Sequence, residues 1–137
     1  MDERNKPRSP NAPSRSRGHR DLKAFDLAYK LAMEIFNRTK TFPEGERFSL
    51  TSQIRRSSRS VAANIAEGYR KQQYPAMFSS KLADADAEAT ETQVWLDFAR
   101  DCSYLSAENH RQLMSGYEEL GRIINGILAS PGKFAPS

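Results

Sequence analysis

Residues 48–71 read FSLTSQIRRSSRSVAANIAEGYRK, a run that holds both the clearest core pattern of the chain and its densest group of basic residues outside the first twenty positions. Leu50, Ile54, Ser57, Val61 and Ile65 recur at steps of four, three, four and four, the spacing of one face of an α-helix. A second row lies one position along. Its members Ser58, Ala62, Ala66 and Tyr69 are mostly small, so another helix can approach closely. Arg55, Arg56, Arg59, Arg70 and Lys71 fall off both rows, which predicts a central helix with one packed face and one cationic face.

The same periodicity extends outward on both sides. Asp21 is placed to cap a first helix running to about Thr39, in which Phe25, Ala28, Leu31, Ala32 and Ile35 recur at helical steps. The connection KTFPEGER (residues 40–47) breaks the period with Pro43 and Gly45, and Phe42 within it is expected to pack on the end of the core. Gly68 marks either a fraying helix end or close packing. Pro75 suits the first turn of a third helix, followed by Phe78, Leu82, Ala85, Ala89, Thr92, Leu96 and Ala99 at alternating steps of four and three. Ser106 caps a fourth helix carrying Leu113, Tyr117, Leu120, Ile124 and Ile127, and Pro131 with Gly132 ends it. Short loops join these helices, so residues 21–130 are expected to form an all-α, antiparallel up-down-up-down four-helix bundle, with residues 131–137 as a short tail.

The 137 residues suffice for one domain, and the net charge of +4 is unevenly distributed. Residues 1–20 hold six basic and two acidic side chains, which accounts for all of it and leaves fifteen of each sign in the remainder. That segment has three prolines and no large apolar residue beyond Met1, so it is expected to be a disordered basic arm. Its arginines Arg15, Arg17 and Arg20 are candidates for draping on nucleic acid, a solvated leader being the alternative. One cysteine, Cys102, cannot form an internal disulfide, and no apolar run approaches the length of a signal or a membrane span. A cytoplasmic protein with no membrane partner is expected.

The runs DLKAFDLAYKLA, FPEGER, LTSQIRRSSRSVAANIAEGYRK and EATETQ, in this order over about Asp21 to Leu128, resemble the bacterial four-helix-bundle family encoded in intervening sequences of 23S ribosomal RNA genes. That family is in turn similar to the accessory variability proteins of diversity-generating retroelements. The resemblance implies a ring-shaped homopentamer, no catalysis, no cofactor and an affinity for nucleic acid, with a reverse transcriptase or a structured RNA as partner. It does not reach the first twenty residues.

Chemistry-bearing residues are sparse. The acidic run Asp84, Asp86, Glu88 and Glu91 raises a di-metal centre, but the Glu-x-x-His motifs of such centres are missing, so no metal is expected. The only histidines are His19 and His110, and Cys102 lacks a neighbouring His, which favours a packed thiol over a nucleophile and leaves no catalytic residue to assign. Asn64 reads as a buried polar contact fixing helix register, and Trp95 as core or interface, with base stacking as the outside alternative. Two functions remain for Arg55, Arg56, Arg59, Arg70 and Lys71. In the first they neutralise RNA or DNA phosphates, together with the arm. In the second they pair with the acidic run of the third helix, and the protein is an interaction scaffold without a nucleic-acid role. Exposure of Arg55 and Arg59 is expected under the first, carboxylate partners under the second.

Overall fold

A computed structural model of the chain describes residues 22–129. Four helices carry the fold: α1 (Lys23–Thr39), α2 (Leu50–Tyr69), α3 (Pro75–Asp101) and α4 (Ala107–Ala129), with a 3-10 turn at Glu44–Glu46 and no strand among the described residues. The arm with its arginines, the Asp21 cap and the tail lie outside the described residues. The N-cap position of α1 is Leu22, which makes no side-chain capping bond.

Each later helix start has a chemical cause. Ser49 precedes α2 without capping it, and the Glu46 carboxylate takes over, accepting from Ser49 Oγ at 2.6 Å and from the Leu50 amide at 3.4 Å. α3 begins on Pro75, whose missing N–H is no loss there. Ser106 Oγ accepts from the Asn109 amide at 3.0 Å and caps α4 as expected. α3 stops because Ser103 turns to φ 65°, letting the Tyr104 amide reach back to the Ala99 carbonyl and the Ser103 amide to that of Arg100, both at 2.9 Å.

The helices form a closed ring of neighbours: α1 packs on α2 and α4, and α3 packs on α2 and α4. The seams expected from periodicity are the ones buried, from Leu50 through Ile65 in α2, Phe78 through Ala99 in α3 and Leu113 through Ile127 in α4. Between α2 and α3 the small residues do what their size allows. A Cβ on Gly68 would stand 2.7 Å from Leu82 Cδ2 and 3.0 Å from Lys81 Cβ, so this glycine marks close packing rather than a frayed end. Three turns away along the same seam, Thr92 Oγ1 lies 2.8 Å from Ser57 Oγ with both side chains fully buried, which satisfies a polar pair inside the seam. Gly116 gives Leu31 of α1 the equivalent room on α4.

One end of the core is tied by the connections. Phe42 packs on the core and against Tyr104 at 5.6 Å between ring centroids, and Tyr104 Oη donates to Glu46 Oε2 at 2.9 Å. The α1–α2 connection and the α3–α4 turn therefore meet there. Donation from Ser49, Tyr104 and Leu50 holds the Glu46 carboxyl below the usual carboxylate range.

Candidate nucleic-acid interface

The arginines of α2 do not share one face. α2 lies between α1 and α3, and positions 55 and 59 look to one flank while position 56, about 100° round the helix, looks to the other. Arg56 reaches α3, where Nη2 donates to Glu91 Oε2 at 2.5 Å and to Glu88 Oε2 at 3.2 Å. Those carboxylates, Glu91 first, raise the Arg56 pKa above its ordinary value. The ion-pair reading thus holds for Arg56, within one chain, and corrects the expectation of a single cationic face.

Arg55 and Arg59 turn instead to the end of α1. Arg55 Nε donates to Thr39 Oγ1 at 2.8 Å, and that hydroxyl in turn donates to the Phe36 carbonyl at 3.1 Å. The Arg55 guanidinium lies 4.8 Å from the centroid of the Phe36 ring, Arg59 lies 5.8 Å from it and Lys40 lies 5.0 Å from it. Three cations therefore surround one half-buried aromatic ring. Among the described residues none of the three has a carboxylate within ion-pair distance, although Lys30, Arg38, Arg47 and Lys81 each have one. Arg59 is exposed and Arg55 half-buried. Because Arg55 is held through Nε, the two terminal nitrogens of its planar guanidinium keep their donors for a bidentate acceptor such as phosphate. The ring attraction offsets part of the mutual repulsion of the cations, and among the described residues the cluster retains an excess of positive charge.

Arg70 and Lys71 stand exposed just past the other end of α2, well away from that cluster. The geometry therefore separates the five α2 candidates into three places: Arg55 with Arg59, Arg56 alone, and Arg70 with Lys71. The contributions of Phe36 and Lys40 were missed in sequence. The signal was spacing: Phe36 lies four residues before Lys40, which puts it on the same helix face as that cation.

The remaining candidates are placed as follows. Asn64 is half-buried and Nδ2 donates within its own helix to the Ser60 carbonyl at 3.0 Å and to Ser60 Oγ at 3.1 Å, so it fixes no register between helices. Cys102 is exposed at the end of α3 rather than packed, because Leu105 takes the buried position of that turn. Trp95 is half-buried against the core, with Nε1 donating to Glu91 Oε2 at 3.1 Å and its ring 5.9 Å from Phe98. His110 is buried with Nε2 2.8 Å from Asp97 Oδ1, a pair joining α4 to α3. Among the described residues no group of three or more His, Cys, Asp or Glu side chains is placed to hold a metal ion, and no helix is long and apolar enough to cross a membrane.

The chain is similar to a solved structure described as a protein of unknown function from the S23 ribosomal protein family of Bacteroides thetaiotaomicron VPI-5482. The two are 29% identical with a TM-score of 0.71, and the match covers 78% of this chain and 96% of that one. No curated protein matches the chain. The model of the family described as 23S rRNA-intervening sequence protein matches residues 20–126, and on that extent the chain belongs to this family.

Proposed function

We propose that the protein is a non-catalytic, oligomeric accessory protein that binds RNA or DNA through phosphate contacts, with Arg55, Arg59 and Lys40 as the principal site. One observation carries this reading: three cations converge on the Phe36 ring with no carboxylate among the described residues at ion-pair distance, one helix face away from an arginine of the same sequence run that has two. The family name, which refers to a ribosomal RNA, supports it. Arg70, Lys71 and the arm residues Arg15, Arg17 and Arg20 would extend the electrostatic footprint, giving affinity with little sequence preference.

The subunit in this reading is an antiparallel up-down-up-down bundle. The order of contacts between α2 and α3 supports it, since Arg56 meets Glu91 and Glu88 while Glu67, further along α2, meets Lys81, earlier in α3. Assembly into a cytoplasmic homopentamer, with a structured RNA or a reverse transcriptase as partner, belongs to the same proposal. A protein-interaction scaffold is the second reading, favoured by the exposed pairs Tyr29 with Met33 on α1 and Val94 with Phe98 on α3. Titration of a structured RNA over a salt series separates the two. Binding that weakens linearly in log–log form supports the first, and no binding at low salt supports the second.

A further inference from the structure

Phe48 is the most exposed large apolar side chain among the described residues, at 85%, well beyond the next, Tyr74 at 58%. A core aromatic contributes by burying its ring, and this one contributes nothing of the kind. It is also not an isolated surface residue. The Arg47 guanidinium lies over its ring at 5.1 Å and is tethered through Nη1 to Glu44 at 3.4 Å, so a cation lies over one face while most of the ring stays open to solvent. Its place in the chain is equally specific. Phe48 immediately precedes Ser49, the N-cap position of α2, and so lies at the same end of that helix as Arg55. Arg55 is about 8 Å along the helix axis from the first helical residue, Leu50.

We infer that Phe48 is a stacking platform for an unpaired nucleobase whose flanking phosphates run onto Arg55 and Arg59. An exposed aromatic at the same helix end as cations that have no carboxylate partner among the described residues is the pairing that single-stranded nucleic acid selects, because every base has a π face and every nucleotide a phosphate. A duplex offers the phosphates but keeps its bases stacked and out of reach of the ring. The site is therefore specific for single-stranded or looped segments, without sequence preference. This rests on the phosphate-binding reading above and adds to it a prediction of which nucleic-acid form is held.

The test uses a short labelled oligouridylate and a blunt-ended RNA duplex of equal length, each titrated with the wild-type chain, Phe48→Ala and Phe48→Tyr. Phe48→Ala is expected to bind the single strand roughly tenfold more weakly, with the salt slope unchanged because no phosphate contact is lost, and to bind the duplex as wild type does. Phe48→Tyr, which keeps the ring, is expected to bind both probes as wild type does. Because the ring is exposed, unaltered helicity and melting temperature are expected for both variants, and a variant that unfolds would show the ring to be structural and overturn the inference. An alanine variant that loses nothing, or loses equally on both probes, overturns the stacking inference while leaving the phosphate site standing. Failure of the wild-type chain to bind either probe overturns both and assigns the surface to a protein partner.

Discussion

Gly68→Ala and Gly121→Ala make the same chemical change in two helices and are expected to move stability in opposite directions. At an open helical position alanine is favoured over glycine by about 1 kcal/mol, through backbone entropy alone. Gly121 has nothing within 4 Å of a built Cβ, so its substitution should return most of that gain. At Gly68 the new methyl would stand 2.7 Å from Leu82 Cδ2 and 3.0 Å from Lys81 Cβ. Leu82 is fully buried and cannot swing away, and a Cβ moves only with its backbone, so α2 and α3 must separate. Overpacking of this kind costs about 1–3 kcal/mol, and after part of the helix-propensity gain is set against it a net loss of about 1–2 kcal/mol remains. For a domain of this size each kcal/mol is worth roughly 4 °C or slightly more, so Gly68→Ala should melt about 4–8 °C lower and Gly121→Ala about 4 °C higher. Calorimetry or thermal circular dichroism at one fixed protein concentration reads both, the fixed concentration being needed because assembly shifts the melting point by mass action. A Gly68→Ala chain as stable as wild type would refute the reading of a close α2–α3 seam.

Two further variants probe the polar contacts. Arg56→Ala removes an ion pair whose side chains are between one quarter and one half exposed, so it should cost under about 1 kcal/mol in thermal unfolding. The Glu46 carboxyl is held below its ordinary range by its donors, so folding favours its charged form; that contribution is complete above the unfolded pKa and is lost as pH falls through the lower folded one. Glu46→Gln should therefore flatten the loss of melting temperature on acidification, and an acid limb as steep as that of wild type would show the bonds from Ser49 and Tyr104 to the charged carboxylate to be unimportant.

The core was legible because it depends on period alone. Each seam residue named from spacing in α2, α3 and α4 is buried, apart from Ala66, which is only half-covered, and Pro75 and Ser106 start their helices for the reasons their chemistry gives. The site was less so, because which cation meets which carboxylate depends on how neighbouring helices are rotated. Spacing shows that Arg55 and Arg56 are adjacent; only the packing of α2 between α1 and α3 sends one to Phe36 and the other to Glu88 and Glu91. Nor does spacing show that Thr39 holds Arg55, so the exposure expected of Arg55 and Arg59 under the phosphate reading is met in full only by Arg59, and Arg55 is a half-buried side chain with one fixed hydrogen bond. Cys102 and Asn64 were misjudged for a related reason. Residues near a helix end, or facing its flank, are not placed by an apolar period.

The most direct measurement compares the salt dependence of RNA binding for wild type, Arg55→Ala/Arg59→Ala and Arg56→Ala, with melting temperatures recorded in parallel. Each phosphate contact contributes about 0.7–0.9 to the slope of log K against log salt concentration, so the double variant should lose about 1.5 from the slope. It should remain folded, with about 1.5–3 kcal/mol at most lost with the Thr39 hydrogen bond, whose donor is charged. Arg56→Ala should keep the wild-type slope, since its charge is already balanced by Glu88 and Glu91. Equal losses of slope per arginine removed, or an unchanged slope in the double variant, would contradict a phosphate site at the junction of α1 and α2.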